Sequence, residues 1–278
     1  MKHFNIFKEI FLSFSSCLGF AWVLIQILDF FWGAKYPWLK SNTVFIAVFV
    51  MSLIYSVFVN YPSRGIRLKI SGTEAYLSLL YGDILKSSGH IAVTTSNFFN
   101  TSPALVSERS LFGQVINLFF NGDYEAVEKK VSAALANIDY DVVSVSRGKE
   151  RSYPIGTVAG IEIEKDKKLF LMAITKINET DGKEDIYSDI SHVHRAINSL
   201  WDKAEIETDN GVLNIVPFGA GISRVFNRNV ESVLYIAQSF IDRSKKKRPC
   251  SELIIFVQPK DICLSEFVEL KRMLKFLA

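Results

Sequence analysis

Cysteine and histidine are scarce in this chain, and the scarcity removes several function classes. The three cysteines, Cys17, Cys250 and Cys263, stand far apart with no metal-ligand spacing, which excludes a disulfide framework and a zinc site and points to a reducing compartment. Of the four histidines only His192 and His194 are close. Two apart on a helix, they point to different faces and cannot share a metal, so no metal is expected. No Ser-His-Asp order or Cys-His pair supplies a nucleophile with its base. Glu162 and Glu164 share one face of a hairpin strand and read as a solvated edge. The expectation is a protein that is not an enzyme, with no catalytic residue. A formal net charge of only +3, with no basic stripe interleaved with aromatics, argues against nucleic acid. The run Lys245 to Arg248 reads as a solvated helix end.

Charge itself is missing from two long stretches. Residues 10–28 carry none, and at ~1.5 Å per residue they just cross a ~30 Å hydrocarbon layer. Residues 43–59 form a second uncharged run, and Trp32, Tyr36 and Trp38 cluster between the two where an interfacial aromatic belt belongs. The first run has no small-x-small cleavage site, and neither run shows a polar face at helical period, so a signal peptide and buried core helices both fit less well. The expectation is a transmembrane helical hairpin over residues 1–62, with spans at about 10–32 and 42–60, and a cytosolic domain over 63–278. Lys2, Lys8, Arg64, Arg67 and Lys69 outside the spans, against Lys35 and Lys40 between them, place both termini in the cytoplasm of a multi-pass protein of the cell membrane.

After Pro62 the composition becomes that of an ordinary folded domain. Ile66, Leu68 and Ile70 alternate with polar residues as a half-exposed strand, and residues 75–80 and 89–95 read as buried strands. Residues 110–120 look helical despite Gly113, and Tyr124, Val127, Val131 and Leu135 continue a second helix. Residues 157–163 and 169–175 flank Glu164 to Lys167 as a β-hairpin, and residues 178–183 read as a polar loop. Ile186, Ile190, Val193, Ile197 and Leu200 recur at helical spacing. Residues 230–241, 253–257 and 267–274 then give a helix, a buried strand and a closing helix. Strands alternating with helices predict an α/β sandwich with a mixed, largely parallel sheet.

Within this pattern residues 212–225 carry the strongest local signal. Val212, Leu213, Ile215 and Val216 form an apolar, mostly β-branched run, Pro217 stops ladder pairing, and Gly219 and Gly221 free the backbone to turn its N–H groups on an anion. A helix opened by Asn227 or Asn229 would add its positive dipole end, a common way to hold a pyrophosphate.

Three segments in order, Gly82-Asp83-Ile84, Thr94-Thr95-Ser96-Asn97 and Pro217-Phe218-Gly219-Ala220-Gly221-Ile222, resemble the landmark motifs of macro domains. With two apolar helices in front and Tyr153-Pro154-Ile155-Gly156-Thr157 between, the chain is most similar to the membrane-anchored macro-domain effectors of the Thoeris anti-phage defence system. The resemblance implies a macro-domain-like three-layer sandwich with an ADP-ribose cleft at the carboxyl ends of the central strands. It implies Asp83 as acceptor for the adenine amino group, aided by the Ile84 N–H, and Asn97 near the distal ribose. Phe218, Gly219, Ala220, Gly221 and Ile222 would wrap the diphosphate, and Arg224 is placed by position as a partner for a phosphate or carboxylate. It further implies no cofactor but a ligand, histidine-ADP-ribose, made by a partner enzyme with a TIR domain, and a homo-oligomer that disrupts the membrane when activated. The sequence departs from hydrolytic macro domains: Asn97 alone remains of an asparagine-rich strand end, and the glycine run after it is absent. That departure favours a sensor. The alternative is a membrane-tethered hydrolase of ADP-ribose derivatives or NAD.

Overall fold

The computed structural model describes residues 3–32, 35, 41–60, 65–180, 183–219 and 225–278. The chain divides into two compact units, Met1–Ser63 and Arg64–Ala278.

The first unit is a pair of helices, α1 (His3–Trp32) and α2 (Asn42–Asn60). Ser52 and Ser56 of α2, one turn apart, are fully buried, and the Ser56 hydroxyl donates to the Ile10 carbonyl at 2.5 Å. Small residues at this seam let the helix backbones approach closely, and a hydroxyl bonded to a carbonyl leaves no polar group unmatched. Phe14 meets Phe49 edge-on at 5.1 Å between ring centroids, and Trp22 meets Phe45 at 5.6 Å. The outward side carries exposed Phe20, Val23, Phe30 and Phe31 on α1 and Ile46, Ile54 and Phe58 on α2. Such a surface suits lipid or another apolar surface better than water. Residues Ile10–Phe31 are long and apolar enough to cross a membrane, with a mean hydropathy of 1.9. The apolar part of α2, Asn42–Phe58, is shorter. The described residues therefore hold one candidate span where the uncharged runs predict two.

The second unit is built on an eight-stranded sheet. Strands β1 (Gly65–Lys69), β2 (Tyr76–Tyr81) and β3 (His90–Ser96) precede helices α3 (Leu111–Phe120) and α4 (Tyr124–Ala134). A two-residue ladder, β4 (Asp141–Val142) with β5 (Arg151–Ser152), leads to β6 (Val158–Glu164), β7 (Lys167–Thr180) and β8 (Lys183–Tyr187). Helix α5 (Ile190–Glu207), β9 (Val212–Ile215), α6 (Asn229–Lys246), β10 (Glu252–Val257) and α7 (Leu264–Leu277) complete it. The strand order is β1-β2-β10-β9-β3-β7-β6, with β8 paired to β7. Every neighbour pair from β2 to β7 is parallel, whereas β1, β6 and β8 pair antiparallel.

The parallel centre follows from residues apolar on both faces. On β7, Phe170, Met172 and Ile174 enter the core that also holds Trp201, Phe240 and Phe267 from α5, α6 and α7. The alternate residues Leu169, Leu171 and Ala173 enter the opposite core, with Phe112, Val115, Val127 and Val131 from α3 and α4. Helices on both faces make the three-layer sandwich, and both cores draw only on residues of the second unit.

One stretch differs from the expectation. Of the stretch 178–183, read as a polar loop, residues 178–180 belong to β7 and Lys183 to β8, which pair antiparallel, residues 181–182 lie outside the described residues, and Ile186 pairs with Ile177 in that ladder instead of opening a helix. The helix starts later because Asp189 caps it, accepting from the His192 N–H at 2.9 Å, the Ser191 hydroxyl at 2.7 Å and the Tyr187 hydroxyl at 2.6 Å. These bonds, the Tyr187 one foremost, hold the Asp189 carboxyl well below the usual carboxylate range. Ile186 lies four residues before Ile190 and continues the helical stripe by coincidence.

His90 at the start of β3 is 7% exposed and held from both sides. Its Nε2 faces the Thr208 carbonyl at 3.1 Å, and its Nδ1 accepts the Lys168 N–H at 3.1 Å. A carbonyl only accepts and an amide only donates, so the ring is the neutral Nε2–H tautomer. Burial pushes its pKa below the ordinary imidazole value despite the Thr208 bond. Unfolded His90 therefore takes up a proton first as pH falls, and stability present above about pH 6.5 is lost as pH drops through the folded value. His90→Gln is expected to lower the unfolding midpoint at pH 7.5 while flattening its dependence between pH 7.5 and 5. Equal slopes in the two thermal-melt series would contradict this account.

Candidate functional site

The carboxyl ends of the parallel strands open onto two adjoining cavities of about 580 and 480 Å³. Both are lined by Leu111, Val216 and Pro217, so they form one cleft. Asp83 follows β2 at one end, and Ile177 in β7 marks the other. Four strand spacings separate those strands, roughly 19 Å at ~4.8 Å each. A cleft across the carboxyl edge of an open α/β sheet is where such folds take ligands.

The smaller cavity holds Asp83 and Ile84 beside Asn229, Gln258, Lys260 and Asp261. Asp83 is exposed, and one carboxylate oxygen caps a single turn of 3-10 helix, Ile84–Lys86, by accepting from the Leu85 N–H at 3.1 Å. An anchored carboxylate with a free second oxygen is a preorganised acceptor for an exocyclic amine. Ile84 is 3% exposed and packs below it. Helix α6 starts at Asn229, whose side chain donates to the Asp261 carbonyl at 3.2 Å.

The larger cavity is lined by Pro217, Phe218 and Gly219 and by the start of α3. Gly219 has φ +82°, a conformation that only glycine adopts without strain, and its carbonyl accepts from Phe226 N–H at 2.9 Å to close the loop. Phe218 is 7% exposed in the core, and its N–H goes to the buried Ser232 hydroxyl at 2.9 Å, so this residue anchors the loop. Ala220, Gly221, Ile222 and Arg224 lie outside the described residues.

The helix pole that the sequence reading assigned to Asn227 or Asn229 has a counterpart at α3. Ser110 caps α3 by accepting from Gly113 N–H at 3.1 Å, and its hydroxyl donates to the Ser107 carbonyl at 2.6 Å. No acceptor among the described residues takes the N–H of Leu111 or Phe112, and both residues line the larger cavity. Two unsatisfied N–H groups at the positive end of a helix dipole favour an anion there. The sequence signal was Ser110 before an apolar helical run, a capping pattern.

Asn97 follows directly on β3 and is not among the residues lining the larger cavity. It is 1% exposed, its Oδ1 accepts from Ile177 N–H at 2.9 Å, and its Nδ2 donates to the Ser152 hydroxyl at 2.8 Å. Its own N–H and carbonyl bond Thr175 and Tyr153. Asn97 thus ties β3, β5 and β7 together behind the cavity, whereas Asn100 lines it. Asn100 Oδ1 accepts from Lys149 N–H at 3.0 Å, and Lys149 Nζ reaches the Phe99 carbonyl at 2.7 Å and Glu128 at 2.5 Å. Partial burial pushes the Glu128 carboxyl up, but hydrogen bonds from Lys149, Thr101 and Ser132 outweigh it and hold it below its ordinary value. This strap brings Val145 and Arg147, from the loop between β4 and β5, to the cavity. Among the described residues no His, Cys, Asp or Glu lines the larger cavity, and no group of three or more such residues is placed to hold a metal.

The family model for the macro domain of Thoeris protein ThsA matches residues 77–258, well over half of the chain. Solved structures with a similar fold include a mutant macrodomain of Oceanobacillus iheyensis with ADPR, at 11% identity and TM-score 0.54, covering 76% of this chain and 99% of that one. The same organism's macrodomain with ADP aligns at 11% identity and TM-score 0.53, covering 76% and 97%. At that identity they establish the fold alone. No curated protein matches the sequence.

Proposed function

This chain belongs to the Thoeris ThsA macro-domain family, and on that premise we propose that it is an anti-phage effector whose cleft binds an ADP-ribose-derived signal and whose N-terminal helices then disrupt the membrane. The observation that carries the reading is the continuous cleft with two chemically different ends. An anchored carboxylate, Asp83, suits the adenine amino group, and the N–H groups at the start of α3 with the Gly219 loop suit the diphosphate. Solved macrodomains holding ADPR and ADP support the choice of ligand class. The signal we propose is histidine-ADP-ribose made by a TIR-domain partner.

A sensor fits better than a hydrolase because a water in the larger cavity would meet no general base among the described residues. The α1–α2 pair is proposed to lie in the cell membrane as a two-span hairpin, and two helices cannot enclose a pore alone, so toxicity requires a homo-oligomer. Calorimetric titration of the detergent-solubilised chain with ADP-ribose and its histidine conjugate tests the reading. Binding without turnover is expected, and Asp83→Ala should weaken both ligands on the order of tenfold through loss of a charge-assisted bond. No heat from either ligand would leave only a macro-like scaffold. Consumption of the ligand would make the protein a hydrolase.

A further inference from the structure

The pole of the second unit opposite the cleft gathers charge of one sign. Helix α6 starts at Asn229, which lines the smaller cavity, and α7 follows the carboxyl end of β10, so both run away from the cleft and pack on each other. The turn between β1 and β2 joins their far ends. The Glu74 carbonyl accepts from the Arg248 guanidinium at 3.2 Å, and the Ser71 N–H donates to the Ala278 main-chain oxygen at 2.7 Å. Exposed Lys245, Lys246 and Arg248 after α6 and exposed Lys275 on α7 therefore share one surface. Among the described residues none of these four has a carboxylate within ion-pair reach, whereas Lys69 and Lys247 nearby are paired with Glu74 and Glu205. Lys271, one turn before Lys275, adds a like charge: burial and the Lys275 ammonium hold it below its ordinary value. Phe276 follows Lys275 and is 91% exposed, and Met273, one turn before it, is exposed too.

Helix dipoles account for part of this. The last turn of a helix favours cations, and Arg243, Lys245 and Lys246 occupy that turn of α6. A dipole end is worth only about half a charge, however, and it gives no reason for an aromatic ring to stand in water. One kind of surface suits both features, an anionic layer with an apolar layer just beneath it, which is the face of a bilayer that holds acidic lipids. Lysine ammoniums meet the headgroup phosphates while a phenylalanine ring passes between them to the acyl boundary. A nucleic-acid backbone offers the charge without the apolar layer. The chain also brings its own membrane contact, since Ile10–Phe31 is long and apolar enough to cross one.

We propose that this pole docks the second unit on an anionic lipid surface, with Lys245, Lys246, Arg248 and Lys275 on the headgroups and Phe276 inserted among them. The cleft then faces away from the lipid. The 18 residues of α6 set the two poles about 27 Å apart, so the cleft stays open to a dissolved ligand. The proposal rests on the reading of α1–α2 as a membrane hairpin and adds a charge-dependent attachment through the folded unit itself.

The test places the full chain, one copy per disc, in nanodiscs of phosphatidylcholine alone or of equal parts phosphatidylcholine and phosphatidylglycerol. A water-soluble acylating reagent, read by peptide mass spectrometry, reports the exposure of each lysine. Lys245, Lys246 and Lys275 should react about threefold or more slowly in the anionic discs, and this protection should vanish at roughly 0.5 M salt. Exposed Lys129, on α4 across the sheet, should react alike in both and is the internal reference. Phe276→Ser should weaken the protection of all three lysines, and Lys245→Glu with Lys246→Glu should abolish that of Lys275. Both variants should keep the melting point and the ADP-ribose affinity, because the replaced side chains are exposed and outside the cleft. Protection that persists at high salt, or that arises only in discs holding two copies, would assign this face to another contact and overturn the proposal. A chain that enters the discs and reacts equally in both compositions overturns it while leaving the membrane hairpin standing. A chain not recovered with the discs removes both.

Discussion

Gly113→Val is expected to weaken ligand binding severely and lower the unfolding midpoint together. Gly113 is the third residue of α3, and a Cβ placed there would stand 2.3 Å from the Ser107 carbonyl oxygen and 2.9 Å from the Glu108 Cα. Both are backbone atoms, so no side-chain rotation relieves the clash and the 107–110 turn must move. That turn supplies Ser107 and Ser110 to the cavity and presents the N–H groups of Leu111 and Phe112. Overpacking of this kind costs roughly 1–3 kcal/mol of stability. Displacement of the anion-binding pole should reduce affinity by about a hundredfold or more, the sum of two lost hydrogen bonds to a charged group. Thermal melts and calorimetry on the same sample separate the two effects. A variant that melts lower but binds ADP-ribose normally would show that the α3 terminus does not face the ligand.

Gly113 also shows why some of the site was legible in the sequence and some was not. The strands of the central sheet announce themselves because burial on both faces demands runs such as residues 169–174 on β7, and α5 declares itself through Val193, Ile197 and Leu200. The turn at Gly219 is readable because its positive φ requires that residue type. Gly113 registers only as an oddity in a helix, since the atom that excludes a side chain there, the Ser107 carbonyl, comes close only when the turn is folded. Arg147 is less visible still. It sits in an aperiodic loop, and what brings it to the cleft is the bond from its neighbour Lys149 to Asn100, forty-nine residues away along the chain. Asn97 has a structural part that its position after β3 does not announce: its carboxamide is tied to Ser152 and Ile177. The β7–β8 hairpin was missed because residues 178–183 are polar and carry no apolar alternation.

Removing residues 1–63 should leave ligand affinity unchanged within about twofold and eliminate growth arrest completely. The first half follows from the cores: every residue in the two buried clusters lies after position 63, so the remaining unit keeps what stabilises it. The second half follows from the proposed effector role, in which only the helices touch lipid. Ile10–Phe31 is long and apolar enough to cross a membrane and is unburied, and the exposed Phe20, Phe30, Phe31 and Phe58 give it and α2 a surface for lipid or for other copies. A ligand shifts such an assembly only through a higher affinity for the active arrangement, and moving a population from 1% to 99% takes about 5.5 kcal/mol. A macro-like unit without the helices can still gain that free energy on binding, but has nothing in the membrane to redistribute with it. Calorimetry on the truncated chain, paired with growth curves and a membrane-potential dye in cells that make the signal, reads both halves. Growth arrest by the truncated chain would place the toxic activity in the cleft and return the argument to an enzyme. Loss of binding on truncation would instead make the helices part of the sensor, with the oligomer they form completing the site.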